Sequence, residues 1–401
     1  MPLPHDSLNA FVAGPEDADI VERSGPLSGL TLAVKDIYAV KGQRTGGGNP
    51  QMLAEAEPAE ATAPAVLALL EAGARFVGRT QTDELTFSLM GHNAHYPQPV
   101  NPAAPDRVTG GSSSGSAAAV TGGLVDIATG SDTGGSVRAP ASFCGLIGLR
   151  TTHGRVSLEG AMPLAPSFDT FGWFARDAEI YEKVGRVFFG EAGAAPHRHR
   201  LVRLSTLDAL VLPEADAEYR RMQAVAEDVI GPSREAAPLS QSVDDLYWTF
   251  RKLQAHEAWA THGPFITARD RGLGPGVKER FEFGRAVSAE DATAQSARRA
   301  AFRAEFADLL GGDGLLMLPT VPGAAPLKAA GFDDQQAYRE RALRLLCLSG
   351  LSGFPQISIP LGRVGGAPFG LTLIGPPDSD MALIRLARAI LESAGEDRWT
   401  H

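Results

Sequence analysis

Ser112-Ser113-Ser114-Gly115-Ser116-Ala117-Ala118-Ala119-Val120, and after it Gly130-Ser131-Asp132-Thr133-Gly134-Gly135-Ser136-Val137-Arg138-Ala139-Pro140, are the stretches from which the rest of this chain is read. Ser114 to Val120 has the composition of a helix of small residues, and Val125 to Ala128 reads as the strand that follows it. The second run leaves that strand through two glycines, which let main-chain N–H groups approach a bound molecule closely. A helix is expected to begin at Ser136 and to aim further N–H dipoles at the same point.

The same alternation appears upstream. Leu30 to Val34 reads as a short buried strand. Thr62 is suited to cap a helix with Pro64 in its first turn and Gly73 past its end, carrying Val66, Leu67, Leu69 and Leu70. Ala74 to Gly78 is the next strand, so the unit is β-α-β and its strands are parallel. Further strand-like runs occur at Leu315–Leu318, Ile357–Ile359 and Leu371–Ile374. A last helix is expected near Ser379, with Leu383, Ile384, Leu386, Ile390 and Leu391 on its apolar side. Residues 205–310 are rich in Ala, Glu, Arg and Gln and read as helices packed on the sheet or lining a cleft. The connection from Gly190 to Arg200, with the basic cluster His197-Arg198-His199-Arg200, reads as an exposed loop and a soft lobe boundary. The expected fold class is α/β: one domain over 1–401, with a mixed, largely parallel sheet covered by helices on both faces and a site at strand C-terminal ends.

Composition narrows the function. The chain has 401 residues, 44% hydrophobic and 7% aromatic, and a formal net charge of −10. That charge disfavours a non-specific nucleic-acid partner. No apolar run approaches the roughly 18 residues that span a bilayer. Met1-Pro2-Leu3-Pro4-His5-Asp6 lacks a basic segment followed by an apolar one, so a cytoplasmic location is expected. Cys144 and Cys347 sit among apolar neighbours and are expected as reduced thiols. With no CxxC pair, no zinc site is expected, and no other metal or cofactor is called for.

Covalent acyl chemistry needs a nucleophile, a base, an acid for the leaving group and donors for the oxyanion. Ser136 is the candidate nucleophile, with main-chain donors at Thr133, Gly134, Gly135 and Ser136. Lys35 is the candidate base. A free lysine, with a pKa of about 10.4, is charged at neutral pH, but burial beside Leu32–Val34 would lower that value. Ser112 is the candidate relay, since a hydroxyl donates and accepts at once. Gly111, Ser113, Asp132 and Arg138 flank these groups as supporting or substrate-binding residues. Each has a plainer reading. Lys35 could be a surface residue paired with Asp36, the Gly/Ser run a linker or cap, and Asp132–Arg138 an ion pair that fixes the loop. Trp173 and Phe174 read as core, with a pocket wall as the alternative.

Two other patterns compete. Gly111-Ser112-Ser113-Ser114-Gly115 fits G-x-S-x-G, which would make Ser113 a nucleophile on a strand–helix elbow. However, Pro105–Thr109 is a poor strand, and the nearest histidines, His92, His95 and His153, would have to supply the base. There is no G-x-x-x-x-G-K-[ST] to cradle a nucleotide.

The order Lys35, Gly-Gly-Ser112-Ser, then Asp-Thr-Gly-Gly-Ser136, with Ser136 24 positions after Ser112, resembles the amidase signature family. The tail Arg138-Ala139-Pro140-Ala141-Ser142-Phe143-Cys144-Gly145 carries the same resemblance. Asp83-Glu84, Asn101-Pro102, Ser167-Phe168-Asp169-Thr170, Pro319-Thr320 and Gly370–Gly375 look like further landmarks. The resemblance implies an acylated Ser136, a bridging Ser112 reached through a cis peptide, and Lys35 as base, without cofactor. Asn93–Tyr96 and Asp169–Arg176 look like a compact subgroup that includes plant indole-3-acetamide hydrolases and the amidase-like domain of a chloroplast import receptor. The implied function is release of ammonia from a small aryl- or alkyl-acetamide. Two alternatives stand beside it: a catalytic subunit of a tRNA-dependent amidotransferase, and a non-catalytic binding scaffold. The expected partner is a small-molecule amide, with no nucleic acid and no membrane. Oligomeric state is open, a homodimer included.

Overall fold

The chain from Thr31 to Thr80 forms the expected β-α-β unit. A computed structural model describes residues 6–14, 16–191 and 199–395. Its strands, in chain order, are β1 (Phe11–Ala13), β2 (Thr31–Lys35), β3 (Arg75–Thr80), β4 (Ile127–Asp132), β5 (Gly148–Arg150), β6 (Thr170–Ala175), β7 (Arg200–Arg203), β8 (Arg234–Glu235), β9 (Gly314–Pro319), β10 (Gln356–Val364) and β11 (Ala367–Ile374). Met1–His5 and the His197-Arg198 half of the basic cluster lie outside the described residues. Arg200, the end of that cluster, is the first residue of β7.

Two mixed sheets result, one ordered β1-β3-β2-β4-β6 and the other β5-β10-β11-β9-β7-β8. Parallel ladders join β2 to β3 and β4, and β7 to β8 and β9. The other five ladders among the described residues are antiparallel, so the parallel share is smaller than the sequence suggests. Part of the reason is local. β10 and β11, read above as separate runs, form one hairpin with Val364 opposite Ala367. Gly365 and Gly366 join them, both at positive φ (57° and 81°), as a two-residue hairpin turn requires.

Most of the buried apolar residues meet in one core that crosses both sheets, with Leu32 and Val34 of β2, Leu316 and Leu318 of β9, and Leu371 and Leu373 of β11, while Ala117–Val120, Val137 and Phe174 belong to a smaller cluster beside it. Helix Arg138–Cys144 packs on β10 and β11, and helix Asp380–Ser393 on β10. In the latter, Leu383, Ile384, Ile390 and Leu391 are buried, the apolar side read from sequence. Helix Pro64–Glu71 starts at its proline. Thr62 does not cap it, and its hydroxyl instead accepts the N–H of Lys41 at 3.1 Å. The middle of the chain is helical as expected, over Asp216–Ile230, Val243–Ala268, Val277–Ala286 and Ala289–Leu310. Helix Phe332–Ser352 has no counterpart in the sequence reading. It matters to the site, because its Leu346 packs against Gly135.

Candidate active site

Three chain segments converge at the C-terminal ends of β2 and β4. Lys35 is the last residue of β2, Ser131 and Asp132 close β4, and the Gly111–Ser114 turn lies beside them. Parallel pairing of β2 with β4 brings the ends together. Lys35 is fully buried, and its Nζ bonds to three hydroxyl oxygens: Ser112 Oγ at 2.8 Å, Ser113 Oγ at 3.0 Å and Ser131 Oγ at 2.8 Å. No carboxylate among the described residues pairs with it. Asp36, the partner of the plainer reading, instead binds Arg79 at 2.9 Å. Burial lowers the Lys35 pKa to about 7, against the raising pull of Asp83, Asp132 and Asp169. A hydroxyl can turn from acceptor to donor without moving its oxygen. The cluster can therefore satisfy the ammonium with three acceptors, or the neutral amine with two acceptors and one donor.

The Gly111–Ser112 peptide is cis. Asp83 holds that turn. The Asp83 N–H donates to Ser112 O at 3.1 Å, and its carboxylate accepts the N–H of Gly91 at 3.0 Å and the Ser114 hydroxyl at 2.9 Å. A Cβ on Gly111 would sit 2.2 Å from that carboxylate, so no larger residue fits there. Burial raises the Asp83 pKa, with the bonds from Ser114 and Gly91 opposing.

The Ser136 loop is held differently. Asp132 accepts the N–H groups of Gly135 (2.9 Å), Val137 (3.1 Å) and Arg138 (3.3 Å). It also binds the guanidinium of Arg138 at 2.7 Å and that of Arg150 at 3.1 Å. Although burial pushes its pKa up, Arg138 and Arg150 outweigh it and keep the Asp132 carboxyl well below the usual range. The ion-pair reading of Asp132–Arg138 is the one seen. Gly135 takes φ 121°, a conformation open to glycine, and its N–H is spent on Asp132. Among the described residues, the N–H groups of Thr133, Gly134 and Ser136 donate to no protein acceptor. They are the ones free to meet a substrate oxygen. The helix begins at Arg138, two residues after Ser136 rather than at it. The Ser136 hydroxyl makes no hydrogen bond among the described residues, so Lys35 is joined to Ser112 but Ser112 is not joined to Ser136. Hydrogen bonds between reacting groups are often long without substrate and tighten in the complex.

The elbow reading of Ser113 finds no support. Residues 105–109 form no strand, and the Ser113 hydroxyl serves the lysine and the Ser131 backbone. His92 bonds Gln335, His95 bonds Glu84, and His153 donates to Pro166 O, all away from the serines.

The family model described as Amidase matches residues 8–217. Amidase 1 of Oryza sativa subsp. japonica is 37% identical over 399 residues, covering 92% of this chain and 91% of that protein. Amidase 1 of Arabidopsis thaliana is 39% identical over 394 residues, covering 91% and 93%. A solved amidase structure superposes with a TM-score of 0.81 at 30% identity, over 92% of this chain and 85% of that one. The chain belongs to the amidase signature family. It is an amide-hydrolysing enzyme.

Several groups of this amidase escaped the sequence reading. Ser131 is the third hydroxyl on Lys35, and Thr129 Oγ1 accepts the Lys35 N–H at 2.8 Å. The two lie two residues apart on β4, hence on one face. Arg150 adds a second guanidinium to Asp132 and donates to Phe168 O at 2.6 Å. Asp169, noted above only as a landmark, accepts the Thr133 hydroxyl at 2.6 Å and the N–H groups of Leu164 and Ala165. Ser131, Thr133 and Asp169 line a cavity of about 280 Å³ whose other walls include Ile37, Leu158 and Met162. Trp173 and Phe174 are fully buried core residues.

Proposed function

We propose that this amidase cleaves a small aryl- or alkyl-acetamide to a carboxylate and ammonia through an acyl-Ser136 ester. The observation that carries the reading is a fully buried lysine amine in contact with the Ser112 hydroxyl and with no carboxylate paired to it among the described residues, a burial that lowers its pKa to about 7. At neutral pH such an amine is in large part unprotonated and can accept a proton. Ser136 Oγ attacks the amide carbon, its proton moves to Ser112 Oγ, and the Ser112 proton moves to Lys35 Nζ. The oxyanion faces the amides of Thr133, Gly134 and Ser136, while Gly135 contributes the backbone shape rather than its N–H. The proton then returns by the same route to the leaving nitrogen as the C–N bond breaks. Water attacks the ester with Lys35 again as the base, which frees the acid and restores Ser136.

The cavity beside Thr133 supports the substrate class. It is at the lower end of ligand-pocket sizes, and Ile37, Leu158 and Met162 suit an apolar acyl group. Two buried, unpaired cysteines support a reducing, cytoplasmic setting. Ammonia release from phenylacetamide, indole-3-acetamide, malonamide and acetamide tests the reading. The two aryl-acetamides should give the highest kcat/KM, and Ser136→Ala should lower turnover by about 10⁴-fold or more with an unchanged melting temperature. Ammonia release undiminished in Ser136→Ala would remove Ser136 as the nucleophile.

A further inference from the structure

Against the Gly111–Ser112 peptide lies a buried carboxylate that the proton route above does not use. Asp83 is fully buried and clasps the turn in two ways. Its N–H donates to Ser112 O at 3.1 Å, an oxygen that the Thr82 hydroxyl also reaches at 3.0 Å. One of its carboxylate oxygens accepts the Ser114 hydroxyl at 2.9 Å, and the other accepts the Gly91 N–H at 3.0 Å. A Cβ on Gly111 would lie 2.2 Å from one of these oxygens and 2.5 Å from the other. The charge is therefore seated on the turn whose next residue, Ser112, touches Lys35 Nζ.

Buried charges are ordinarily paired, as Asp132 is with Arg138 and Arg150. Among the described residues no cation is bonded to Asp83. The charged groups near it are Arg280 of helix Val277–Ala286, His92 of the loop that follows Asp83, and Lys35. Arg280 donates to Phe87 O at 2.7 Å, and His92 is bonded to Gln335 at 2.7 Å. Arg339, a further buried cation close to Arg280, has no partner for its Nε and no ion pair among the described residues. Glu84, next in sequence, is engaged with Asn49, His95 and the Gly274 N–H. Lys35 in turn feels three carboxylates, and Asp83 pulls hardest of the three, ahead of Asp132 and Asp169. Burial raises the Asp83 pKa, and the bonds from Ser114, Ser88 and Gly91 oppose it. Those donors select the carboxylate over the acid.

We propose that Asp83 is a positioning residue for the proton transfer: it clasps the Ser112 turn against Lys35 and supplies the counter-charge that the buried ammonium meets once it has taken the proton. The transfer turns a neutral amine into a cation among hydroxyls alone. A carboxylate seated on the neighbouring turn steadies that cation through space. Bonded directly to the amine, the same carboxylate would hold it permanently charged and unable to accept a proton. Separation by one turn gives the base a charge to lean on and still leaves its lone pair available.

The inference deepens the amidase reading and rests on it for its kinetic arm only. The first arm needs no turnover. Parent and Asp83→Asn proteins carrying isotope-labelled lysine are titrated by NMR, with the Lys35 signal assigned by its loss in Lys35→Met. The parent midpoint should lie near pH 7, and in Asp83→Asn it should fall by about one unit. In the second arm, the acidic limb of kcat/KM for phenylacetamide should move down with it. The plateau should drop by about tenfold or more, because a less basic amine draws the proton less strongly. Asp83→Glu keeps the charge and guards against an asparagine variant that does not fold. Its midpoint should stay within about half a unit of the parent's, although the longer side chain loosens the turn and lowers the plateau. A midpoint that stays put in Asp83→Asn, or that falls by about one unit or more in Asp83→Glu, overturns the counter-charge role. A midpoint that falls while the acidic limb does not move overturns the link to the reaction. A midpoint that falls in a protein releasing no ammonia from any amide overturns the amidase reading and leaves the coupling of Asp83 to Lys35 standing.

Discussion

Two buried charge centres flank the end of β4, and they are built on opposite rules. Asp132 is surrounded by guanidinium groups and main-chain N–H donors, each aimed at a fixed anion. Among the described residues the Lys35 amine has only hydroxyls, which are content with a cation or with a neutral amine. The first centre pins its charge state and so fixes the shape of the Ser136 loop. The second leaves its charge state open and pays for that freedom with a pKa lowered to about 7. Rigid electrostatics shape the loop, and soft electrostatics are what the proposed proton transfer would draw on. Their contrast lies in the partners chosen rather than in depth, since both centres are wholly buried.

Replacing the amine breaks this contrast most sharply. Lys35→Met should lower kcat/KM by about 10³-fold or more, since nothing else near Ser112 can take its proton. In the unaltered enzyme the rate should fall as pH drops below about 7, because protonation fills the lone pair that accepts. Stability should carry a matching signature. Between pH 7 and about 10.5 the unfolded chain holds a proton on Lys35 that the folded chain does not, so folding becomes more favourable as pH rises through that window. Below it the full penalty stands, on the order of 5 kcal/mol. Urea unfolding at pH 6 and pH 10 should therefore show Lys35→Met gaining on the parent mainly at the lower pH. An equal difference at both values would mean that the amine is not depressed.

Breaking the rigid centre should leave a different trace. Asp132→Asn leaves Arg138 and Arg150 buried without a counter-charge, a loss of about 3–5 kcal/mol. Because Arg138 and Arg150 hold the Asp132 pKa below its unfolded value despite burial, the carboxylate's contribution is complete above the unfolded pKa. It fades as pH falls through the folded one. Urea titrations at pH 7 should show the loss, and acid unfolding should begin at higher pH in Asp132→Asn. An Asp132→Asn protein as stable as the parent would show that the loop holds its shape without the ion pairs.

The sequence exposed these two centres unequally. Lys35, Ser112 and Ser136 are legible because their spacing and small-residue settings are local patterns. Asp132–Arg138 is legible for the same reason, being within one loop. Arg150 and Asp169 reach the site from β5 and the start of β6, and only the pairing of β4 with β6 brings Thr170 opposite Asp132. Ser131 was readable in principle. In a strand, residues 129 and 131 share a face, and both carry hydroxyls beside a lysine strand. The fold shows the same division. The β-α-β unit and the last helix were read from periodicity and caps, while the β10–β11 hairpin was missed although Gly365-Gly366 marks it. Arg339 lies furthest from view. That no carboxylate among the described residues pairs with it is a property of everything that folds around it, and no local pattern records that.

Ser131 also gives the finest test of the soft centre. Its hydroxyl is one of the three around Lys35 Nζ, at the same 2.8 Å as that of Ser112, but it lies on the strand rather than on the turn that carries Ser112. Ser131→Ala removes an acceptor that the ammonium needs and that the neutral amine can more easily spare. The charged form is the one weakened, so the acidic limb of the rate profile should move to lower pH, by less than about one unit. The plateau rate should fall by about tenfold or less, since Ser112 keeps its contact. The direction decides between two views of the cluster. A downward shift means that the hydroxyls support the cation as well as the amine, and that burial alone sets the low pKa. An upward shift would mean that Ser131 had been donating to a neutral lysine, and the three hydroxyls would then themselves be the reason that the amine is free to accept a proton.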